Sequence, residues 1–364
     1  MTPAGQRDEG VVRNMSPRSG ARRSPAGTAS CARHRVVACA VLLVLALPAA
    51  DCRYTNDPAN NPAPGMSAGA SQQSTADSVI TLPGNAAAES LVLAPDGALW
   101  VAERDVGGVA RIDPAGTITQ HRLSIGWDHL SGIARAGDGT VWFITTSHIG
   151  RLRPDGRITR ANFGYPGGIT VGPDGAAWFT TSSGSDPAIG RADAATGELS
   201  MVAVLPSAIG LPGGITTGPD HAMWFSQVAK EQGSSDGIGR LSIEGVYTSW
   251  PLPPGTAPRS ITVGPDGALW FAQRGGIGRI TVRGEVSYFP VPQDERPNCV
   301  VAGPEGAVWF TTATKVGRLT PSGDVTLWSV PDAVQLSALV AVPGGGFWLT
   351  DSKADVVRRF SPPR

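Results

Sequence analysis

The sequence predicts an all-β fold, a seven-bladed β-propeller of four-stranded antiparallel blades whose ring is closed by the N-terminal strand. Three observations carry that prediction. A phrase made of a short apolar run, a Pro-Asp-Gly-like turn and a Trp recurs around Trp100, Trp142, Trp178, Trp224, Trp270, Trp309 and Trp348. Its spacings of 42, 36, 46, 46, 39 and 39 residues suit a four-stranded blade. A phrase of the Ile-Gly-Arg type then follows each Trp, and a short polar-apolar strand follows six of those seven. Units this small cannot bury their own apolar faces and must stack on one another.

In chain order, residues 1–50 read as an export signal. An Arg-rich stretch from Arg13 to Arg35 precedes the apolar run from Val36 to Leu47, and Ala49 and Ala50 offer a cleavage site. The run is near 12 residues, short of the roughly 20 that a permanent span needs. Met15 is an alternative start, and an uncleaved anchor is the alternative to cleavage. Cys52 raises a lipid-anchored cysteine, although Asp51 stands where a small residue is expected. Residues 51–77, rich in Asn, Pro, Ala, Gly and Ser, read as a flexible tether. The expected location is exported, periplasmic or envelope-associated, with membrane contact only through the signal or a lipid anchor.

Residues 78–364 form the propeller in this reading. The unit from Arg259 to Pro290 shows how a blade is built. Ser260-Ile-Thr-Val-Gly264 alternates polar and apolar, which is strand periodicity. Pro265-Asp266-Gly267 makes a tight turn, since Pro fixes one φ and Gly accepts a positive one. Ala268 to Ala272, Ile277 to Thr281 and Glu285 to Pro290 supply the remaining strands. The last blade lacks its outer strand, because the chain ends at Arg364, and Ser78-Val-Ile-Thr-Leu-Pro83 supplies it from the other end. Closing the ring this way removes exposed sheet edges. The seven Trp are read as packing between sheets, the repeated Arg as a donor to turn carbonyls, and the repeated Asp as turn chemistry.

Composition narrows the function. The 47 Gly and 31 Pro recur at fixed places in a chain that is 41% apolar, so they mark turns and not disorder. Residues 1–50 hold seven Arg against two acidic residues, and the remainder holds 23 basic and 28 acidic residues. A mildly acidic body has no basic footprint for nucleic acid. Once the signal is removed, Cys52 and Cys299 remain, enough for one disulfide at most. The expected partner is a small molecule or peptide at the channel mouth, and the expected state is a monomer.

The run Gly264-Pro-Asp-Gly-Ala-Leu-Trp-Phe-Ala-Gln273, followed by Ile277-Gly-Arg-Ile280, resembles the streptogramin B lyase (virginiamycin B lyase) family. The likeness runs through all seven blades, about residues 78–360. It implies a seven-bladed propeller that opens a cyclic depsipeptide by Mg-assisted elimination at an ester. The family places a His just before the first strand in two successive blades, the second within Glu-x-His, and a further Glu at the end of the following second strand helps hold the metal. This chain departs from that signature. The phrase Glu295-Arg-Pro-Asn298 has Asn where the His should stand, and its second strand ends on Thr312.

The site is expected where the central channel opens. Eleven residues before each blade Trp stand Glu89, Ser131, Gly167, Gly213, Arg259, Asn298 and Ser337. Three after each stand Glu103, Thr145, Thr181, Gln227, Gln273, Thr312 and Asp351. These two rings are chemically mixed, unlike the scaffold positions. Asp128 beside His129 suggests an acid-base pair, whereas His121, His148 and His221 read as surface residues. Arg259, Arg296 and Asn298 are candidate substrate contacts. Glu89, Glu103 and Asp351, on neighbouring first and last blades, are candidate ligands for Mg²⁺ or Ca²⁺. Two functions follow: an exported lyase-like propeller acting on a cyclic ester or lactone by metal-assisted elimination, or a non-catalytic binding propeller of the periplasm or envelope.

Overall fold

A computed structural model describes residues 72–73, 76–123, 128–183, 186–206, 210–230, 234–292 and 295–363. The export segment 1–50 and tether residues 51–71 lie outside the described residues. Seven sheets built on four antiparallel strands are found among the described residues, and in the first six those four strands run in chain order from the inside outward. Blades 1 to 6 cover 88–122, 130–162, 165–204, 211–251, 261–290 and 300–329. Blade 7 joins Leu336–Ala341, Phe347–Asp351 and Val356–Phe360 to the N-terminal strand Ala76–Thr81, which pairs antiparallel with Val356–Phe360. The closure expected from the sequence is present, and its strand starts two residues before the expected Ser78. Gln72–Gln73, expected within the tether, adds a parallel fifth strand to blade 6.

The core lies between blades. Seven apolar clusters each draw residues from two adjacent sheets. One of them sets Val357 and Trp348 of blade 7 against Leu91, Leu99 and Val101 of blade 1, which completes the ring. Five blade Trp are buried, as expected from their repetition, while Trp100 and Trp348 are half-buried.

The Ile-Gly-Arg phrase has a steric reason. Phe143, Phe179, Phe225, Phe271 and Phe310 follow their blade Trp and pair across the sheet with Gly150, Gly190, Gly239, Gly278 and Gly317. Each ring lies over its glycine, where a Cβ would overlap it. Blade 1 has Val101 opposite Ala110, a smaller pair that needs no glycine.

The repeated Asp and Arg do more than the sequence suggested. In blade 5, Asp266 accepts from Trp270 Nε1 at 2.8 Å and from Arg279 Nε at 2.6 Å, so the turn carboxylate links the second and third strands. Asp174 and Asp220 do the same in blades 3 and 4. Burial opposes ionisation of Asp266, and the Trp270 and Arg279 hydrogen bonds outweigh it, holding the carboxyl below its ordinary range. Donation to turn carbonyls is confined to departures such as Arg151, which reaches the Ala194 and Thr196 oxygens, and Arg359, which reaches Gly345.

Candidate functional site

The Pro-Asp-Gly turns occupy one end of the ring. The loops into each inner strand and the hairpins between second and third strands occupy the other, the end where the sequence places the mouth. The residues eleven before each Trp sit at a break in strand pairing. Register shifts fall between Ala88 and Ser90, Leu130 and Gly132, Pro166 and Gly168, Pro212 and Ile215, and Leu336 and Leu339. In blade 5, Arg259 N donates to the Ala272 oxygen while Ala272 N donates to the Ser260 oxygen, so two residues oppose one. Asn298 and Cys299 oppose Thr311 in the same way in blade 6. A β-bulge re-aims the side chains around it, and these bulges form a ring at the mouth.

The next positions inward are small in every blade: Ser90, Gly132, Gly168, Gly214, Ser260, Cys299 and Ala338. Inner strands there approach closely. A Cβ on Gly168 would lie 2.6 Å from the Gly213 oxygen, and one on Gly214 would lie 2.7 Å from the Arg259 oxygen. The pattern is legible in the sequence once the bulge register is known.

The second expected ring is not a surface. Glu103, Thr145, Thr181, Gln227, Gln273, Thr312 and Asp351 are all buried, because strand alternation turns their side chains into the interblade layer. Glu103 accepts from Gln120 Nε2 at 2.7 Å, and burial raises its carboxyl pKa against that hydrogen bond and the nearby Arg122. Asp351 accepts from the backbone of Val334 and Gln335 at 2.9 Å each and lies 3.5 Å from Arg358. Glu89 pairs with Arg104 at 3.0 Å. Burial raises the Glu89 carboxyl as well, with Arg104 opposing the shift. The expected metal set is therefore corrected: among the described residues, Glu89, Glu103 and Asp351 form no common donor group. Each already has its own partners, and Mg²⁺ or Ca²⁺ needs several oxygens aimed at one point. These residues do not fit such an ion.

The expected pairing of Asp128 with His129 is also corrected. His129 is exposed and lies 3.6 Å from Asp105 of blade 1. The partner of Asp128 is His148, with Nδ1 at 2.5 Å from Oδ2. Thr146 Oγ1 at 2.6 Å, Ser147 Oγ at 2.7 Å and Thr145 Oγ1 at 3.0 Å also donate to Asp128. Burial pushes the Asp128 carboxyl pKa up, but these hydrogen bonds prevail and bring it down to about 2. The site thus holds a fixed anion against one imidazole nitrogen. The sequence alone places His148 at the surface, because its partner lies 20 positions away in the loop leading into the blade.

Arg259 and Arg296 are exposed at the mouth end and have no acidic partner within 4 Å among the described residues. Asn298 is differently placed. Its Nδ2 donates to the Leu336 and Ser337 oxygens at 3.3 Å each, tying blade 6 to blade 7. Sequence reasoning grouped Asn298 with substrate contacts; the structure gives its amide a structural bond. Clefts on the outer flank, one beside Trp270, Phe289 and Leu319 and another beside Trp142, Arg151 and Thr196, follow blade interfaces away from the mouth.

A sequence model of the virginiamycin B lyase family matches residues 161–362. Over 96 residues the chain is 38% identical to a virginiamycin B lyase of Nocardia farcinica (strain IFM 10152), a match spanning 24% of this chain and 33% of that relative. Among solved structures, selenomethionine-substituted virginiamycin B lyase from Staphylococcus aureus is similar at a TM-score of 0.71 and 28% identity, covering 79% of this chain and 99% of that one. A streptogramin B lyase structure is similar at 0.71 and 26%, covering 78% and 96%. YCF48 from Cyanidioschyzon merolae, at 0.60 and 15% identity with 78% and 98% covered, shares the fold alone.

Proposed function

The chain belongs to the virginiamycin B lyase family, and from that premise we propose that it is an exported propeller that binds a small-molecule or peptide ligand at its mouth without the family's elimination step. One observation carries this reading. Asn298 stands where the resemblance calls for the His of Glu-x-His, and its side-chain amide holds the Leu336 and Ser337 carbonyls. An amide cannot take up a proton at neutral pH, and this one is occupied by the fold. A catalytically inactive histidine-to-alanine variant of the Staphylococcus aureus enzyme, solved with quinupristin, is also among the similar structures. This chain lacks a His at both positions where the family's two stand.

Arg259 and Arg296 supply the binding chemistry. Both are exposed guanidinium groups at the mouth end, and planar guanidinium recognises a carboxylate through paired hydrogen bonds. The favoured ligand therefore carries a carboxylate or another anion. Titrating the mature protein with a panel of acylated amino acids and short peptides tests this by calorimetry. Saturable binding that weakens at least about tenfold in Arg259→Ala or Arg296→Ala supports the reading, and binding indifferent to both substitutions opposes it.

A second reading has its own support. The S. aureus enzyme is covered over 99% of its length, which favours retained activity on a cyclic ester or lactone. Turnover of such an ester would establish it. Export itself is tested by the mass of the mature amino terminus recovered outside the cytoplasm.

A further inference from the structure

The Asp128–His148 pair has a counterpart that shows what is unusual about it. In blade 6, Glu295 and Lys315 stand fourteen before and six after Trp309, the same offsets that Asp128 and His148 have from Trp142. Lys315 Nζ lies 2.6 Å from Glu295 Oε1. Both pairs clip the incoming loop onto the hairpin between the second and third strands. A lysine ends at that one charge. A histidine has a second ring nitrogen, and His148 Nε2 has no protein partner among the described residues, on a side chain that is 26% exposed. Asp128 is an ionised acceptor, so Nδ1 must carry the proton, which leaves the neutral ring's lone pair on Nε2.

The chain paired with His148 leads within three residues to an exposed aromatic side chain. Asn162 pairs with His148, Phe163 N donates to the Ser147 oxygen at 3.0 Å, and Gly164 turns the chain at φ 65°. Tyr165 then opens the inner strand of blade 3 with 66% of its surface exposed. Two residues on, the bulge position is Gly167, exposed and without a side chain. An oriented hydrogen-bond acceptor, an open ring and a bare stretch of backbone thus follow one another at the mouth end of blades 2 and 3.

We propose that His148 Nε2 and the Tyr165 ring form a ligand subsite that takes a phenol-like group, a planar ring carrying an O–H donor. The ligand O–H donates to Nε2 while its ring packs on Tyr165. Asp128 fixes the tautomer and compensates any positive charge that develops on the imidazole. This subsite goes beyond the anion contacts proposed at Arg259 and Arg296 and does not depend on them.

The probe is p-cresol, with 4-methylanisole as the same ring lacking the donor. The mature protein, labelled with nitrogen-15 in its histidine rings, is examined by long-range proton–nitrogen NMR. The expected result is His148 protonated at Nδ1, with Nε2 shifting saturably on addition of p-cresol and little on addition of 4-methylanisole. His148→Lys reproduces the blade 6 clip, so the fold is expected to survive while p-cresol binding falls about tenfold, the worth of one hydrogen bond. Tyr165→Ala, at an exposed position, should weaken p-cresol as well and provides the reading if the lysine variant does not fold. Protonation at Nε2, equal responses to the two probes, or unweakened p-cresol binding in the folded variants would each overturn the proposal. Loss of carboxylate binding at Arg259 alone would leave these readouts unchanged.

Discussion

Replacing Gly278 by Ala and Phe271 by Val, singly and together, tests the blade architecture at its tightest contact. Phe271 is fully buried and pairs with Gly278, over which its ring lies. Gly278→Ala pushes a methyl group into that ring, and overpacking of a filled core costs about 1–3 kcal/mol. Phe271→Val removes most of the ring from a layer shared with Leu269, Trp224 and Ile261, at a cost of about 2–4 kcal/mol by comparison with other large-to-small core changes. Together the two substitutions recreate the Val101–Ala110 pairing of blade 1. The methyl then occupies space that the ring has vacated, so the double variant should be more stable than the sum of the singles by about 1–2 kcal/mol. Urea unfolding followed by Trp fluorescence gives each free energy, provided the slope with denaturant is unchanged. Single effects that add to within about 0.5 kcal/mol would refute the ring-over-glycine account.

Other consequences follow from the same contacts. Asp266→Ala removes the acceptor of both Trp270 and Arg279 and should cost about 1–3 kcal/mol by leaving the buried indole N–H unpaired; a change below about 0.5 kcal/mol would remove the case for that link. Deleting residues 76–81 takes away the strand paired with Val356–Phe360 and should lower the melting temperature of the whole propeller, whereas deleting 53–70 should not. The Asp128 carboxyl is depressed to about 2 in the folded protein. Its stabilising contribution is therefore complete above the unfolded carboxylate pKa near 4 and is lost as pH falls towards 2. Asp128→Asn should remove that part of the acid sensitivity; an unchanged stability difference between wild type and variant from pH 6 to pH 2 would contradict it. Glu103→Gln keeps a partner for Gln120, so its effect should be small and the same with or without millimolar Mg²⁺ or Ca²⁺, as read from melting curves.

The blade repeat was legible because packing imposes it everywhere. Trp, Gly and the Pro-Asp-Gly turn recur at positions where each interblade layer has the same geometry, and closure followed from one missing outer strand. The site was harder to read, for two physical reasons. Whether a strand-end residue faces the channel or the interblade layer depends on how its strand packs against the next blade, and which inner-strand residue is bulged depends on the pairing of two strands. Glu103 and Asp351 therefore looked like rim carboxylates and are buried, while Glu89, Arg259 and Asn298 sit at the bulges themselves. Side-chain partners were equally hidden. Adjacency in sequence favoured His129 for Asp128, yet neighbouring loop residues diverge, and the hairpin that folds back onto the loop brings His148 instead. The matched offsets of Asp128–His148 and Glu295–Lys315 were the available signal.

The central claim is that the mouth retains binding while the family's elimination chemistry is absent, with Asn298 standing where its His should be. Incubation of the mature protein with quinupristin and Mg²⁺, followed by liquid chromatography with fragmentation mass spectrometry, tests it most directly. Elimination opens the ring without changing its mass, so the diagnostic product is an isomer with altered retention and fragments; hydrolysis would instead add water. The account predicts that the cyclic compound is recovered unchanged. A linear isomer that accumulates with enzyme concentration, and fails to form without the protein, would contradict it.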